Sequence, residues 1–209
     1  MACDLSRERA LRARGFLLVA GVDEAGRGPL AGPVVASAVI LPDGFELEGL
    51  TDSKKVGAAK REKFHEALTT TAGILWAVAE AAVAEIDRLN ILRATHLAMA
   101  RAIEKLPQKP AHALVDGLPV RGLPVGHTAL VGGDSLSLSI AAASIIAKVT
   151  RDRLMGELDA QYPQYGFARH KGYGVREHLE ALRKHGPCPA HRRTFQPVAQ
   201  AQLTLEAAS

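Results

Sequence analysis

Four acidic residues stand at the ends of apolar runs, where an ordinary solvated charge is least expected. Asp23 and Glu24 follow Leu17-Leu18-Val19-Ala20-Gly21-Val22. Asp116 follows Ala113-Leu114-Val115, and Asp134 follows Val131-Gly132-Gly133. Short apolar runs of this kind read as buried strands, and sites gather at strand ends in mixed sheets. If the strands are neighbours, the four carboxylates converge. Clustered carboxylates repel one another, so protons or cations must neutralise them. Oxygen donors suit hard divalent ions such as Mg²⁺, which keeps open positions for water and phosphate. Two such ions about 3.5–4 Å apart can activate a water and stabilise a leaving oxygen. The chemistry suggested is therefore metal-assisted phosphoryl transfer. Taken alone, Asp134 is also an ordinary helix-capping residue.

The loop after Asp23 and Glu24 carries Gly26-Arg27-Gly28 and Gly32. It is no dinucleotide fingerprint, because the spacing is wrong and a strand rather than a helix follows. Glycines there let backbone approach a ligand closely, with cations bridging acids and phosphate. A ligand-free glycine hairpin is the plain alternative. Basic residues crowd at Lys54 and Lys55, at Lys148, Arg151 and Arg153, and from Arg169 to Arg193. Lys148 and Arg151 share a helix face at i and i+3. Such residues position a nucleic-acid duplex through its phosphates without reading its sequence. His185, Cys188 and His191 lack a fourth ligand at a familiar zinc spacing. With aromatic content at 4%, no platform for stacking single-stranded bases is expected, and Trp76 is assigned to the core.

The elements that must position these residues follow from periodicity and punctuation. A charged helix is expected over 5–14, and strands over 16–22, 34–41 and 74–83. Helices are expected over 58–68 and 84–106, the latter broken near Asn90 and ended by Pro107 and Pro110. Short strands over 113–115 and ending at 129–131 precede a long alanine-rich helix over 135–158. A polar, basic loop over 163–174, a helix over 175–185 and a Pro- and Arg-rich tail over 186–197 complete the chain. The pattern is an α/β mixed sheet with helices on its faces. No internal repeat or low-complexity linker is visible, so one domain over 1–209 is expected. Residues 1–16 would be an N-terminal extension and 160–209 a small helical C-terminal appendage.

The chain has 209 residues, two cysteines and a formal net charge of +4. It needs no disulfide to build a core, and its charge permits a nucleic-acid partner. Charges scattered through the first 20 residues argue against a signal peptide. No apolar run reaches membrane-spanning length. The expectation is a cytoplasmic protein without a membrane partner.

Residues 22–34, Val-Asp-Glu-Ala-Gly-Arg-Gly-Pro-Leu-Ala-Gly-Pro-Val, resemble the opening signature of ribonuclease HII, the bacterial type 2 ribonuclease H. Further matches follow in order: Asp52-Ser53-Lys54-Lys55, Val115-Asp116-Gly117, Gly133-Asp134, residues 139–152, His170-Lys171-Gly172-Tyr173-Gly174 and His191-Arg192-Arg193-Thr194-Phe195. The resemblance covers residues 17–198, nearly the whole chain. It implies a ribonuclease-H-like fold with a five-stranded mixed sheet. It implies that Asp23, Glu24, Asp116 and Asp134 are catalytic and hold two Mg²⁺ or Mn²⁺ ions. Gly26, Arg27 and Gly28 would meet the sugar and phosphates at the scissile bond, and Lys54, Lys55, Ser144, Lys148, Arg151 and Tyr173 would also contact substrate.

The implied reaction is cleavage on the 5′ side of a ribonucleotide, leaving a 3′-hydroxyl and a 5′-phosphate. The implied substrates are RNA–DNA hybrids and ribonucleotides embedded in duplex DNA, for ribonucleotide and RNA primer removal, by a monomer. The 2′-hydroxyl distinguishes RNA from DNA, and a flat Tyr173 ring would accept deoxyribose and crowd that hydroxyl. Leu136, Val175 and Leu118-Pro119 depart from the pattern, away from the four acids. A DNA-only nuclease or strand-transfer enzyme on the same fold would share part of this pattern. So would a non-catalytic duplex-binding protein, although four uncompensated acids would hinder its hold on a polyanion.

Overall fold

The computed structural model describes residues 3–206, without the side chains of Lys55 and residues 204–206. Five strands form one mixed sheet: β1 (Val19–Ala25), β2 (Val34–Ile40), β3 (Leu75–Ala81), β4 (His112–Asp116) and β5 (His127–Leu130), in the order β3-β2-β1-β4-β5. The first three run antiparallel, while β1–β4 and β4–β5 are parallel.

Side chains alternate between the faces of a strand, and the two faces are covered by different helices. Ala20, Val22, Ala36, Ala38, Ala113 and Val115 pack against α4 (Ile91–Glu104) and its short neighbour α3 (Val83–Leu89). The break between these helices falls at Asn90, as expected, with Asn90 at φ 68°. The opposite face is covered by α5 (Leu138–Gln161), with α2 (Ala58–Thr70) outside it. Alanines over 141–143 let α5 lie close to the sheet. Its approach to β1 also requires Gly21, since a Cβ there would come within 2.1 Å of the Ser139 carbonyl carbon.

The N-terminal helix α1 (Ser6–Ala13) is tied to the start of α5. The buried Glu8 carboxylate accepts from Ser137 Oγ at 2.6 Å, from the Ser139 amide at 3.1 Å and from Ser139 Oγ. A carboxylate at a helix N-terminus is stabilised by the unpaired amides and the helix dipole.

Several boundaries differ from expectation. β1 starts three residues later than expected and runs through both acids, because its frame is set by pairing with β2 (Asp23 opposite Ser37). α5 starts at Leu138 and is capped by Ser137, whose hydroxyl accepts from the Ile140 amide at 3.2 Å. Asp134 lies before it, in a 3₁₀ turn over Gly133–Ser135. The expected polar loop over 163–174 contains a 3₁₀ turn and helix α6 (Phe167–His170), with Tyr165 and Phe167 buried. The expected tail buries His191 and Arg192 and continues into α8 (Gln196–Glu206), after α7 (Arg176–His185). Trp76, assigned to the core, is 37% exposed on the edge strand β3.

Candidate active site

Asp23 and Asp116 sit on adjacent parallel strands, one step beyond the paired Val22 and Val115. Both lie on the α5 face, because Val19 and Leu114, on the same alternation, pack against Ile140. Asp134 reaches the same place from the turn before α5. Each of these three acids offers a carboxylate oxygen within 4.8 Å of the others. Among the described residues they form the one such group of three or more possible ligands. Glu24 is outside it, since neighbours on a strand point to opposite faces. Its carboxylate instead accepts from Arg27 at 3.2 Å.

The electrostatics are those of a site under strain from like charge. Burial, then Glu24 and Asp116, hold the Asp23 carboxyl well above the usual carboxylate range. A backbone bond from the Glu24 amide, at 2.7 Å, and a bond from Ser144 oppose this only in part. Burial and the charges of Asp116 and Asp52 raise Asp134, and burial raises Glu24 against the pull of Arg27. Asp116 is fixed by the Gly133 amide, which donates to it at 2.7 Å. Burial disfavours the charge on Lys54, but Asp52, Asp23, Asp134 and Asp116 outweigh it and hold its ammonium above the usual range. Lys54 is placed there by a 3₁₀ turn that docks on α5 through Ser144 Oγ and Ser53 Oγ, 2.9 Å apart.

The glycine loop lies alongside. Gly26 and Gly32 have φ of +97° and +82°. Their carbonyl neighbourhood is turned onto two enclosed guanidiniums. Arg151 donates to Ala31, Pro33 and Lys171 carbonyls, each at 3.0 Å. Arg192 donates to Gly32 at 2.9 Å, Arg27 at 3.0 Å and the Gly26 carbonyl. Arg151 is 1% and Arg192 0% exposed, and burial pushes them down to about 10 and about 9. A Cβ on Gly26 would lie 1.9 Å from Arg151 Nε, so the loop and this arginine are shaped to one another.

A family model described as Ribonuclease HII matches residues 20–198. The chain is a member of the ribonuclease HII family. It is 57% identical over 196 residues to the ribonuclease HII of Desulfitobacterium hafniense (strain DSM 10664 / DCB-2), covering 94% of this chain and 75% of that one. It is 59% identical over 183 residues to that of Albidiferax ferrireducens, covering 88% of each. Among solved structures, the ribonuclease H2 of Pyrococcus horikoshii superposes with a TM-score of 0.78 at 29% identity, covering 90% of this chain and 99% of that one. The fold is ribonuclease-H-like. The protein is an endoribonuclease of the ribonuclease H type, cleaving the RNA strand of RNA–DNA hybrids.

The structure sorts the expected site residues of this ribonuclease HII. Asp23, Asp116 and Asp134 come together, with Ser144 and Lys54 beside them; Glu24 is outside this group of three but close enough to feel the charges of Asp116 and Lys54. Arg27 is exposed, and Tyr173, 47% exposed, lies next to Gly28, where a Cβ would stand 3.6 Å from its ring. Arg151 is a correction. The resemblance implies that it contacts substrate, but its guanidinium is enclosed and donates to three carbonyls, which makes it a brace for the glycine loop. Lys148 is paired with Asp152 at 2.6 Å on α5. The Lys55 side chain lies outside the described residues.

Arg192, Asp52 and Ser53 were missed as parts of the site. In sequence Asp52 is overshadowed by the two lysines that follow Ser53, and Arg192 is one more residue in a basic run. His185, Cys188 and His191 hold no zinc-like group among the described residues, and Cys3 and Cys188 are both free. Among the described residues, no helix is long and apolar enough to cross a membrane.

The acid cluster fits a hard divalent cation. Its donors are all carboxylate oxygens, the type such ions take. The buried Ser37 hydroxyl, paired across from Asp23, has no hydrogen-bond partner. Two acids raised by burial and by neighbouring carboxylates are the condition that a bound cation relieves.

Proposed function

We propose that this enzyme cuts on the 5′ side of a ribonucleotide, in RNA–DNA hybrids and at single ribonucleotides embedded in duplex DNA, leaving a 3′-hydroxyl and a 5′-phosphate. Asp23, Asp116 and Asp134 would hold two ions of Mg²⁺ or Mn²⁺, with Glu24 contributing from the end of β1. Bound divalent ions supply an activated water and neutralise charge at the leaving 3′-oxygen. The protein supplies the rest. Lys54 and Arg27 offset phosphate charge beside the acids, Ser144 and the Gly133 amide orient two of the carboxylates, and the braced Gly26–Gly28 backbone approaches the 2′-hydroxyl. The exposed Tyr173 ring offers a flat surface to the following sugar. The role is removal of ribonucleotides and RNA primers, by a cytoplasmic monomer.

The observation that carries this reading is the convergence of three carboxylates beside a glycine loop that Tyr173 abuts. The test is cleavage-site mapping on a DNA duplex with one ribonucleotide, with and without divalent metal. The expected result is one metal-dependent cut 5′ of the ribonucleotide. Cutting that ignores the ribonucleotide, or that proceeds equally in chelator, would overturn it.

A further inference from the structure

Three histidine rings pack together in the C-terminal region between α6, α7 and the segment leading to Arg192. His170 and His178 are stacked with centroids 4.6 Å apart, and His178 and His191 lie 5.2 Å apart. Both His178 and His191 are buried. The hydrogen bonds through them have only one consistent direction. The Cys188 amide can only donate, and it lies 3.0 Å from His191 Nδ1, so that nitrogen accepts. A neutral His191 then carries its proton on Nε2. That atom is 3.0 Å from His178 Nε2, which must accept in turn. His178 therefore carries its proton on Nδ1, 2.9 Å from the Tyr173 carbonyl, which is an acceptor only. His170 is directed in the same way, accepting from the Gly172 amide at 3.2 Å and donating to the Tyr165 carbonyl at 2.8 Å.

The stretch these bonds hold is one that would not stay in place unaided. Lys171 and Gly172 adopt φ of +53° and +81°, and a Cβ on Gly172 would come within 2.7 Å of the Ala31 carbonyl. A non-glycine residue in the left-handed region persists only where its surroundings hold it. The Tyr173 ring is half exposed, so its backbone must set where it points. Tyr173 is held at its amide by the His170 carbonyl at 2.9 Å and at its carbonyl by the Val175 amide and His178.

We propose that His178 and His191 form a relay of fixed, opposite tautomers that positions Tyr173 against the sugar beside the cut. This rests on the substrate reading of Tyr173 given above. They are positioning residues, acting on substrate fit rather than on the chemical step. A proton added to either ring would set donor against donor and break a link. The groups facing the relay are His170 and Tyr165 before it, His185 at the end of α7 against Tyr165, and the Cys188 thiol 3.2 Å from His191 Nδ1.

The first test uses the full chain with ¹⁵N-labelled histidine at pH 7.5. Nitrogen shifts should show His191 protonated on Nε2 alone and His178 on Nδ1 alone. Two rings in the same tautomer, or either ring doubly protonated, would overturn the relay. The second uses the singly ribo-substituted duplex. His178→Asn keeps a donor near the Nδ1 position, and KM should stay within about twofold of the unaltered enzyme. His178→Gln reaches only the far position, and KM should rise about tenfold, the scale of one lost hydrogen bond, with kcat nearly unchanged. Equal KM values for the two variants, or a loss confined to kcat, would overturn the positioning role. Tyr173→Ala separates the two layers. If it leaves KM unchanged, the substrate role of Tyr173 and the relay's purpose both fall, while the nitrogen shifts still decide the proton arrangement.

Discussion

The acid cluster at the ends of β1 and β4 and the histidine cluster beside α7 both bury titratable side chains, and they do so in opposite ways. Asp23, Asp116 and Asp134 bring like charges together, and burial pushes two of them toward their neutral forms. His178 and His191 are neutral and satisfy one another in a directed chain. Burial and its neighbour His178 push His191 down to about 4. A group of buried acids that repel is incomplete without a cation. A group of buried rings that complete each other needs nothing more. The first is built to bind, the second to hold.

The largest expected effect breaks the first cluster. Asp23→Asn or Asp134→Asn should lower the cleavage rate by at least on the order of 10²-fold, the scale of losing a principal electrostatic stabiliser. The fold should remain, because each change removes a repelling charge. Circular dichroism and single-turnover cleavage check both halves, and turnover like that of the unaltered enzyme in either variant would refute the site.

The next largest removes a brace between the clusters. Arg192→Met should cost on the order of 3 kcal/mol in denaturant unfolding, since the carbonyls of Gly26, Arg27 and Gly32 lose a buried donor. Arg192→Lys should not restore it, because one ammonium cannot span the fork.

The pH dependence sets the two clusters against each other. A histidine whose folded value is depressed contributes stability that is present above its unfolded value and lost as pH falls. For His191 the window runs from about 6.5 down to about 4, and the loss is on the order of 3 kcal/mol. Raised carboxyls act with the opposite sign. The folded state binds their protons more tightly, so Asp23 and Asp134 add stability as pH falls through their raised values. In Asp23→Asn the acid arm weakens, and thermal unfolding between pH 6.5 and 4 should fall off more steeply than in the parent. A parallel profile would break the contrast.

Metal binding sharpens it further. Mg²⁺ or Mn²⁺ at about a hundred times its Kd should stabilise the protein by about 2.7 kcal/mol. It should leave the nitrogen shifts of His178 and His191 unmoved and should fail to stabilise Asp134→Asn. The smallest effect concerns Gly28, where a Cβ fits 3.6 Å from the Tyr173 ring. Gly28→Ala should change stability by within about 0.5 kcal/mol, whereas Gly26→Ala would drive a Cβ into Arg151 and cost severalfold more.

The identity of the acids, the glycine loop and the alternation of strands and helices were legible from residue types alone, because apolar runs, glycines and helical periodicity are local signals. So was the resemblance that led to the family. The faces were not. Whether Asp23 or Glu24 shares a side with Asp116 depends on the frame of β1, and that frame is set by pairing with β2 and β4. A shift of one residue would exchange the two acids. The fates of Arg151 and Arg192 were equally hidden. Apart from the Arg151 bond to Lys171, Arg151 and Arg192 bond carbonyls 118 to 166 residues away, and nothing near them in the chain marks them as interior. His191 reads in sequence as a stray candidate ligand for the same reason, since its partner His178 reaches it from α7. Local chemistry thus named the reacting groups. Only long-range packing decided which of them meet, because burial and partnership are properties of segments brought together, not of neighbours in the chain.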